Sequence, residues 1–145
     1  MNVQTILDQK DSSNVVTIEP ERALQDAVGR LVEHNIGSLV VVDASGKPVG
    51  IITERDILKT CATGCEKLAT TKVADAMTAD LIVGEVGDAI DYVMGIMTKN
   101  RIRHLPIVRE DGLCGMVSIG DVVKVQRQET EYENRHLREY IERGY

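Results

Sequence analysis

The chain repeats itself. Gly50-Ile51-Ile52-Thr53-Glu54-Arg55-Asp56 returns as Gly115-Met116-Val117-Ser118-Ile119-Gly120-Asp121, an offset of 65 residues. Upstream, Ile36-Gly37-Ser38-Leu39-Val40-Val41-Val42 aligns with Ile102-Arg103-His104-Leu105-Pro106-Ile107-Val108 at an offset of 66. One residue has dropped out between the two stretches, as a surface hairpin tolerates. A tandem duplication narrows the possible folds sharply. The 145 residues amount to one domain, and each half is too short to bury a good core alone, so the halves must pack on each other.

Each half reads β-α-β-β-α. Val3, Ile6 and Leu7 form an apolar stripe predicted as a lead-in helix, and Val73-Ala74-Asp75-Ala76-Met77 is its counterpart before the second copy. Asp11-Ser12-Ser13-Asn14 reads as a polar turn into a β-branched strand at Val15-Val16-Thr17-Ile18, matched by Leu81-Ile82-Val83. Leu24, Ala27, Val28 and Leu31 then follow helical spacing, repeated by Ile90, Val93, Met94 and Met97. Gly29 and Gly95 hold matching places in those helices. Glycine there costs about 1 kcal/mol relative to alanine, so the pair predicts close approach of a neighbouring backbone.

The helices end at His34-Asn35 and Lys99-Asn100-Arg101 and hand over to unbroken apolar strands, Leu39 to Val42 and Leu105 to Val108. Turn residues at Asp43 to Pro48 and Glu110 to Gly112 lead into Val49 to Ile52 and Gly115 to Val117. Unbroken apolar strands are buried on both faces. The expected fold is therefore α/β (α+β), two β-α-β-β-α repeats with pseudo-two-fold symmetry, each a small mixed sheet covered by helices. Residues 1–145 form one module, with repeat one at about 11–62, repeat two at about 73–125 and a helical tail at about 126–145.

After Asp56 the helix continues through Ile57, Leu58 and Cys61 and breaks at the polar linker Gly64 to Thr71. The second helix has no such break and runs from Ile119 into a mixed-charge tail whose apolar residues are Leu137, Tyr140 and Ile141. That tail is either a solvated helix or a dimer-forming or docking one; no heptad repeat is long enough for a coiled coil.

Composition excludes several functions. A net charge of −6 argues against nucleic acid as the main partner. No run approaches the roughly 18 apolar residues of a membrane span and the start lacks a basic flank, so neither signal peptide nor membrane is expected, and the cytoplasm is the expected location. With no Trp or Phe, the interior falls to Val, Ile, Leu and Met. Cys61, Cys65 and Cys114 show no CxxC spacing, which fits reduced thiols better than a disulfide framework or a zinc site.

The duplicated motif carries the chemistry. Thr53 and Ser118 stand where a helix N-cap belongs, with Asp56 and Asp121 three residues on, the capping-box spacing. On the structural reading these pairs only cap helices. On the functional one, a helix N-terminus with its unpaired N–H groups attracts phosphate, the hydroxyl binds it too, and the carboxylate accepts bonds from ribose hydroxyls.

The duplicated β-α-β-β-α pattern with Gly-x-x-Thr/Ser-x-x-Asp resembles a pair of cystathionine-β-synthase (CBS) domains, the Bateman module, over nearly the whole chain. Ile52 to Asp56, Ile102 to Pro106, Met116 to Asp121 and the ending Tyr140 to Tyr145 are similar to small stand-alone CBS-pair proteins of bacteria and of plant mitochondria. The resemblance implies nucleotide sites in the cleft between repeats, each borrowing from both. One would use Thr53 and Asp56, with Leu81 and Ile82 against the base, Arg55, Arg103 and His104 facing phosphate, and Pro106 nearby. The other would use Ser118 and Asp121 with Val15, Val16, Gly37 and Ser38. The second is expected to be the poorer in cations, since Gly37, Ser38 and Gly120 replace Arg103, His104 and Arg55.

The resemblance further implies homodimers shaped as a flat disc and an unknown regulated protein as partner. AMP is the first-choice ligand, with ADP, ATP, NAD(H) and S-adenosylmethionine as alternatives, and no cofactor is required. Plainer readings stand beside these. The arginines form a solvated surface, His104 is structural, and Pro106 shapes an edge strand. No P-loop, Gly-x-Gly-x-x-Gly, HExxH or nucleophile–base set is present, so no catalytic residue is assigned and the expectation is a non-enzyme. The alternatives to a nucleotide sensor are a ligand-free interaction scaffold and, after it, a weak nucleotide hydrolase.

Overall fold

The computed structural model describes residues 1–10 and 15–144; the polar turn expected at Asp11 to Asn14 lies outside the described residues. The elements run α1 (Val3–Gln9), β1 (Thr17–Ile18), α2 (Leu24–His34), β2 (Ser38–Val42), β3 (Pro48–Thr53) and α3 (Glu54–Thr63). A 3₁₀ turn at Cys65–Ala69 follows, then α4 (Val73–Ala76), β4 (Gly84–Glu85), α5 (Ile90–Asn100), β5 (His104–Arg109), β6 (Gly112–Ser118) and α6 (Ile119–Glu142). Each repeat is a three-stranded mixed sheet, β1 parallel to β2 and β2 antiparallel to β3, then β4, β5 and β6 in the same arrangement. Even the bulges match, between Val41 and Val42 and between Ile107 and Val108.

The helical stripes face inward: Leu24, Ala27 and Leu31 on α2, and Ile90, Val93 and Met97 on α5, are buried. Both helices end in a left-handed residue, Asn35 (φ 51°) and Arg101 (φ 55°), which turns the chain into the next strand. Gly29 and Gly95 correct the expectation of a close backbone neighbour, for both are exposed and a Cβ added to either meets nothing within 4 Å.

The first strand of each sheet is shorter than its apolar run. Val15 and Val16 lie outside β1, and Leu81 to Val83 outside β4. In repeat one Thr17 pairs with Val40; in repeat two the place of Val40 belongs to Pro106, and the ladder starts one residue later with Gly84 opposite Ile107. Proline has no N–H to give a neighbouring strand. Pro106 is thus buried in the central strand, not an edge one, just beyond the end of the parallel ladder.

The two repeats hold separate cores, and each is completed by the other's lead-in helix. Val3 and Ile6 of α1 join the cluster of Ile90, Val93, Met97, Leu105 and Val117, whereas Val73 of α4 joins that of Ile18, Leu24, Leu31, Leu39 and Ile52. Backbone bonds fasten the exchange: Val3 N–H to Asp88 O (3.0 Å) on one side, and Val73 N–H to Arg22 O (2.8 Å) on the other. The same crossing explains the glycine that opens each motif. A Cβ on Gly50 would lie 2.6 Å from Met77 Sδ, and one on Gly115 would lie 2.7 Å from Leu7 Cδ2. Both glycines admit the segment that arrives from the other lead-in.

Candidate functional site

Both capping boxes are formed. Thr53 N–H donates to Asp56 Oδ2 (2.9 Å) and Asp56 N–H to Thr53 Oγ1 (3.4 Å); Ser118 N–H donates to Asp121 Oδ2 (2.9 Å) and Asp121 N–H to Ser118 Oγ (3.2 Å). Each helix start is also tied to the opposite end of its hairpin, Glu54 N–H to Gly37 O (3.2 Å) and Ile119 N–H to Arg103 O (2.8 Å). Two of the orphan donors at each N-terminus are therefore satisfied within the protein, which leaves fewer for an anion.

A cleft of about 430 Å³ opens beside Ser118. Val15, Val16, Gly37 and Ser38 line it from the first repeat, and His104, Met116 and Ser118 from the second. That volume falls in the range of roughly 300–1,000 Å³ typical of small-molecule sites. Gly37 sits at the junction, where an added Cβ would stand 3.3 Å from Glu54 Oε1 and 3.7 Å from His104 Cε1.

His104 therefore lines the cleft of Ser118, a correction to its expected place in the Thr53 set. Lys10 and His34 line this cleft as well, so it holds one lysine that the repeat comparison did not place there. Lys10 Nζ donates to Asp121 Oδ2 at 2.9 Å and to Met116 O at 2.8 Å. Burial by itself would raise the Asp121 pKa, but hydrogen bonds from Ser118 N–H and Lys10 outweigh it and hold the carboxyl below its ordinary value. His104 is pushed down chiefly by burial, with the charges of Lys10 and Arg103 adding and those of Glu54 and Asp121 opposing. It is consequently neutral at pH 7, a hydrogen-bonding group more than a charge.

The residues of the other expected set are placed as follows. Arg55 and Arg103 are exposed; Thr53, Asp56, Leu81 and Ile82 are half-buried, and Ile82 packs on the second repeat's core. Sequence reasoning missed Lys10, His34 and Cys114 at the cleft. Lys10 is 111 residues from Asp121, so no local spacing joins them. The thiol of Cys114 is pushed up by burial, and that of Cys61 by the hydrogen bond with its neighbour Cys65.

Comparison with known proteins bears on this geometry. The family model for the CBS domain matches residues 10–62 and 73–128. The mitochondrial CBS domain-containing protein CBSX3 of Arabidopsis thaliana is 42% identical over 124 residues, 83% of this chain, which spans 60% of that relative's length. The crystal structure of the CBS-domain containing protein ATU1752 from Agrobacterium tumefaciens superposes with a TM-score of 0.79 at 39% identity, covering 86% of this chain and 98% of that one. The CBS domain pair of protein MJ0100, solved in complex with 5′-methylthioadenosine and S-adenosyl-L-methionine, matches with a TM-score of 0.78 at 28% identity over 89% of this chain and 98% of that one. Among the described residues no helix is long and apolar enough to cross a membrane.

Proposed function

The chain belongs to the CBS-domain family as a tandem pair, and from that premise we propose that it is a regulatory module whose inter-repeat cleft binds an adenosyl ligand and passes a conformational signal to a partner protein. One observation carries this reading: the cleft at Ser118 is walled by both repeats, so a ligand seated there bridges them. Such a ligand shifts the balance between arrangements of the repeats only by its difference in affinity for them, and a site shared across their interface supplies that difference. The MJ0100 pair, with its two adenosyl ligands, supports the ligand class. AMP is the first choice, with ADP, ATP, NAD(H) and S-adenosylmethionine as alternatives. The module works without catalysis, as a cytoplasmic homodimer that regulates another protein.

A second reading, a scaffold with empty clefts, draws on the closed capping boxes and on the occupation of Asp121 by Lys10. Thermal shift separates the two. A ligand that binds only the folded state stabilises by RT ln(1 + [L]/Kd), about 2.7 kcal/mol at a hundredfold excess over Kd. The expected result is a rise in Tm with one of these nucleotides that Asp121→Ala abolishes and Asp56→Ala does not. No shift with any of them would favour the scaffold.

A further inference from the structure

The lead-in segments obey a repeat offset of their own, which their contacts fix. Leu7 meets Gly115 as Met77 meets Gly50. The bridge between Asn2 and Ala89 likewise mirrors the one between Lys72 and Ala23. Both pairs are separated by 70 residues (77 − 7 and 72 − 2), and by that offset the counterpart of Lys10 is Asp80. The two halves of the module thus carry opposite charges at equivalent lead-in positions, Lys10 against Asp121 in one and the exposed Asp80 in the other.

We propose that Lys10 is the residue that makes the Ser118 cleft selective for phosphorylated adenosyl ligands over uncharged or cationic ones, and that Asp80 denies the same preference to the opposite side. The inference rests on reading the cleft as a nucleotide site. Lys10 closes α1, its N–H bonded to Leu7 O at 3.2 Å, so its backbone is anchored while its side chain reaches the cleft. An ammonium carries three N–H donors; the bonds to Met116 O and Asp121 Oδ2 use two. The Asp121 carboxylate is meanwhile held by Ser118 N–H and lies at the positive end of the 24-residue α6. It keeps favourable partners when ligand arrives. A ribose hydroxyl at Asp121 then displaces the lysine, and the freed ammonium pairs with the ligand's phosphate. Adenosine offers the ribose without that phosphate, and the sulfonium of S-adenosylmethionine repels the ammonium.

The test is calorimetric titration of AMP, adenosine and S-adenosylmethionine into the full chain and its Lys10→Met, Lys10→Arg and Asp80→Lys variants. A charged hydrogen bond contributes enough to change affinity about 10- to 100-fold. The native chain should prefer AMP to adenosine by at least that factor. Lys10→Met should erase the preference, Lys10→Arg retain it, and Asp80→Lys add AMP affinity at the second side. Native-like preference for AMP in Lys10→Met, with binding still lost in Asp121→Ala, would overturn the role of Lys10 and leave the nucleotide site standing. Failure of the native chain to bind any of the three ligands would overturn both.

Discussion

Gly50 and Gly115 hold equivalent positions and face neighbours of different stiffness. A methyl on Gly50 would come within 2.9 Å of Thr78 O, the backbone oxygen of a residue that exchanges two hydrogen bonds with Ile51, whereas the obstacle at Gly115 is the mobile end of Leu7. Gly50→Ala should therefore cost about 2–3 kcal/mol and Gly115→Ala nearer 1, within the usual range for overpacking. Gly29→Ala, into open space on an exposed helix face, should stabilise by about 0.5–1 kcal/mol. Urea denaturation of the three variants reads the order directly. His104 gives a pH-dependent counterpart. Its folded pKa lies below the ordinary value of about 6.5, so on acidification the unfolded chain takes the proton first. Stability should fall as pH drops through about 6.5, with no contribution from this group above it. His104→Gln should flatten that slope in urea midpoints taken between pH 7.5 and 5.5, and an unchanged slope would assign the proton to another group.

Helix α1 has few residues, and its apolar face is spent on the core of a repeat it precedes by a whole half-chain. Val3 and Ile6 are buried among residues of repeat two. Ile6→Ala should cost about 2–4 kcal/mol, and in hydrogen exchange the lost protection should appear first in β5 and β6, leaving β2 and β3 closer to native. The reverse order would mean that α1 serves the repeat it adjoins. At the other end, α6 packs through Val122 and Val125, but from Glu131 onward every described residue is exposed, among them Leu137, Tyr140 and Ile141. Ion pairs spaced four apart, Arg127 with Glu131 and Arg135 with Glu139, run along that exposed stretch. Periodicity made both helices readable. Which surface the first one covers was not, because a short stripe at i, i+3 and i+4 specifies a face and not its partner.

At the scale of the molecule, duplication made the architecture legible, since every apolar run and turn was written twice and each copy checked the other. Two mixed sheets, matched helices and paired capping boxes all follow from patterns within about ten residues of chain, where local geometry decides. The candidate site was legible in part. Ser118 does stand with Val15, Val16, Gly37 and Ser38, but His104 joins them, and Lys10 belongs to no motif. The later start of β4 turns on the missing N–H of Pro106, whose effect depends on a strand more than twenty residues away. The sequence by itself determined the repeats, their strands and helices, and the aspartates at the helix starts, because hydrophobic period and capping act between near neighbours. Only the tertiary structure decided that the lead-in helices exchange cores and that a lysine rather than an aspartate reaches the Ser118 cleft. Those contacts join residues from about twenty to more than a hundred positions apart, and packing complementarity selects them with no local pattern to announce it.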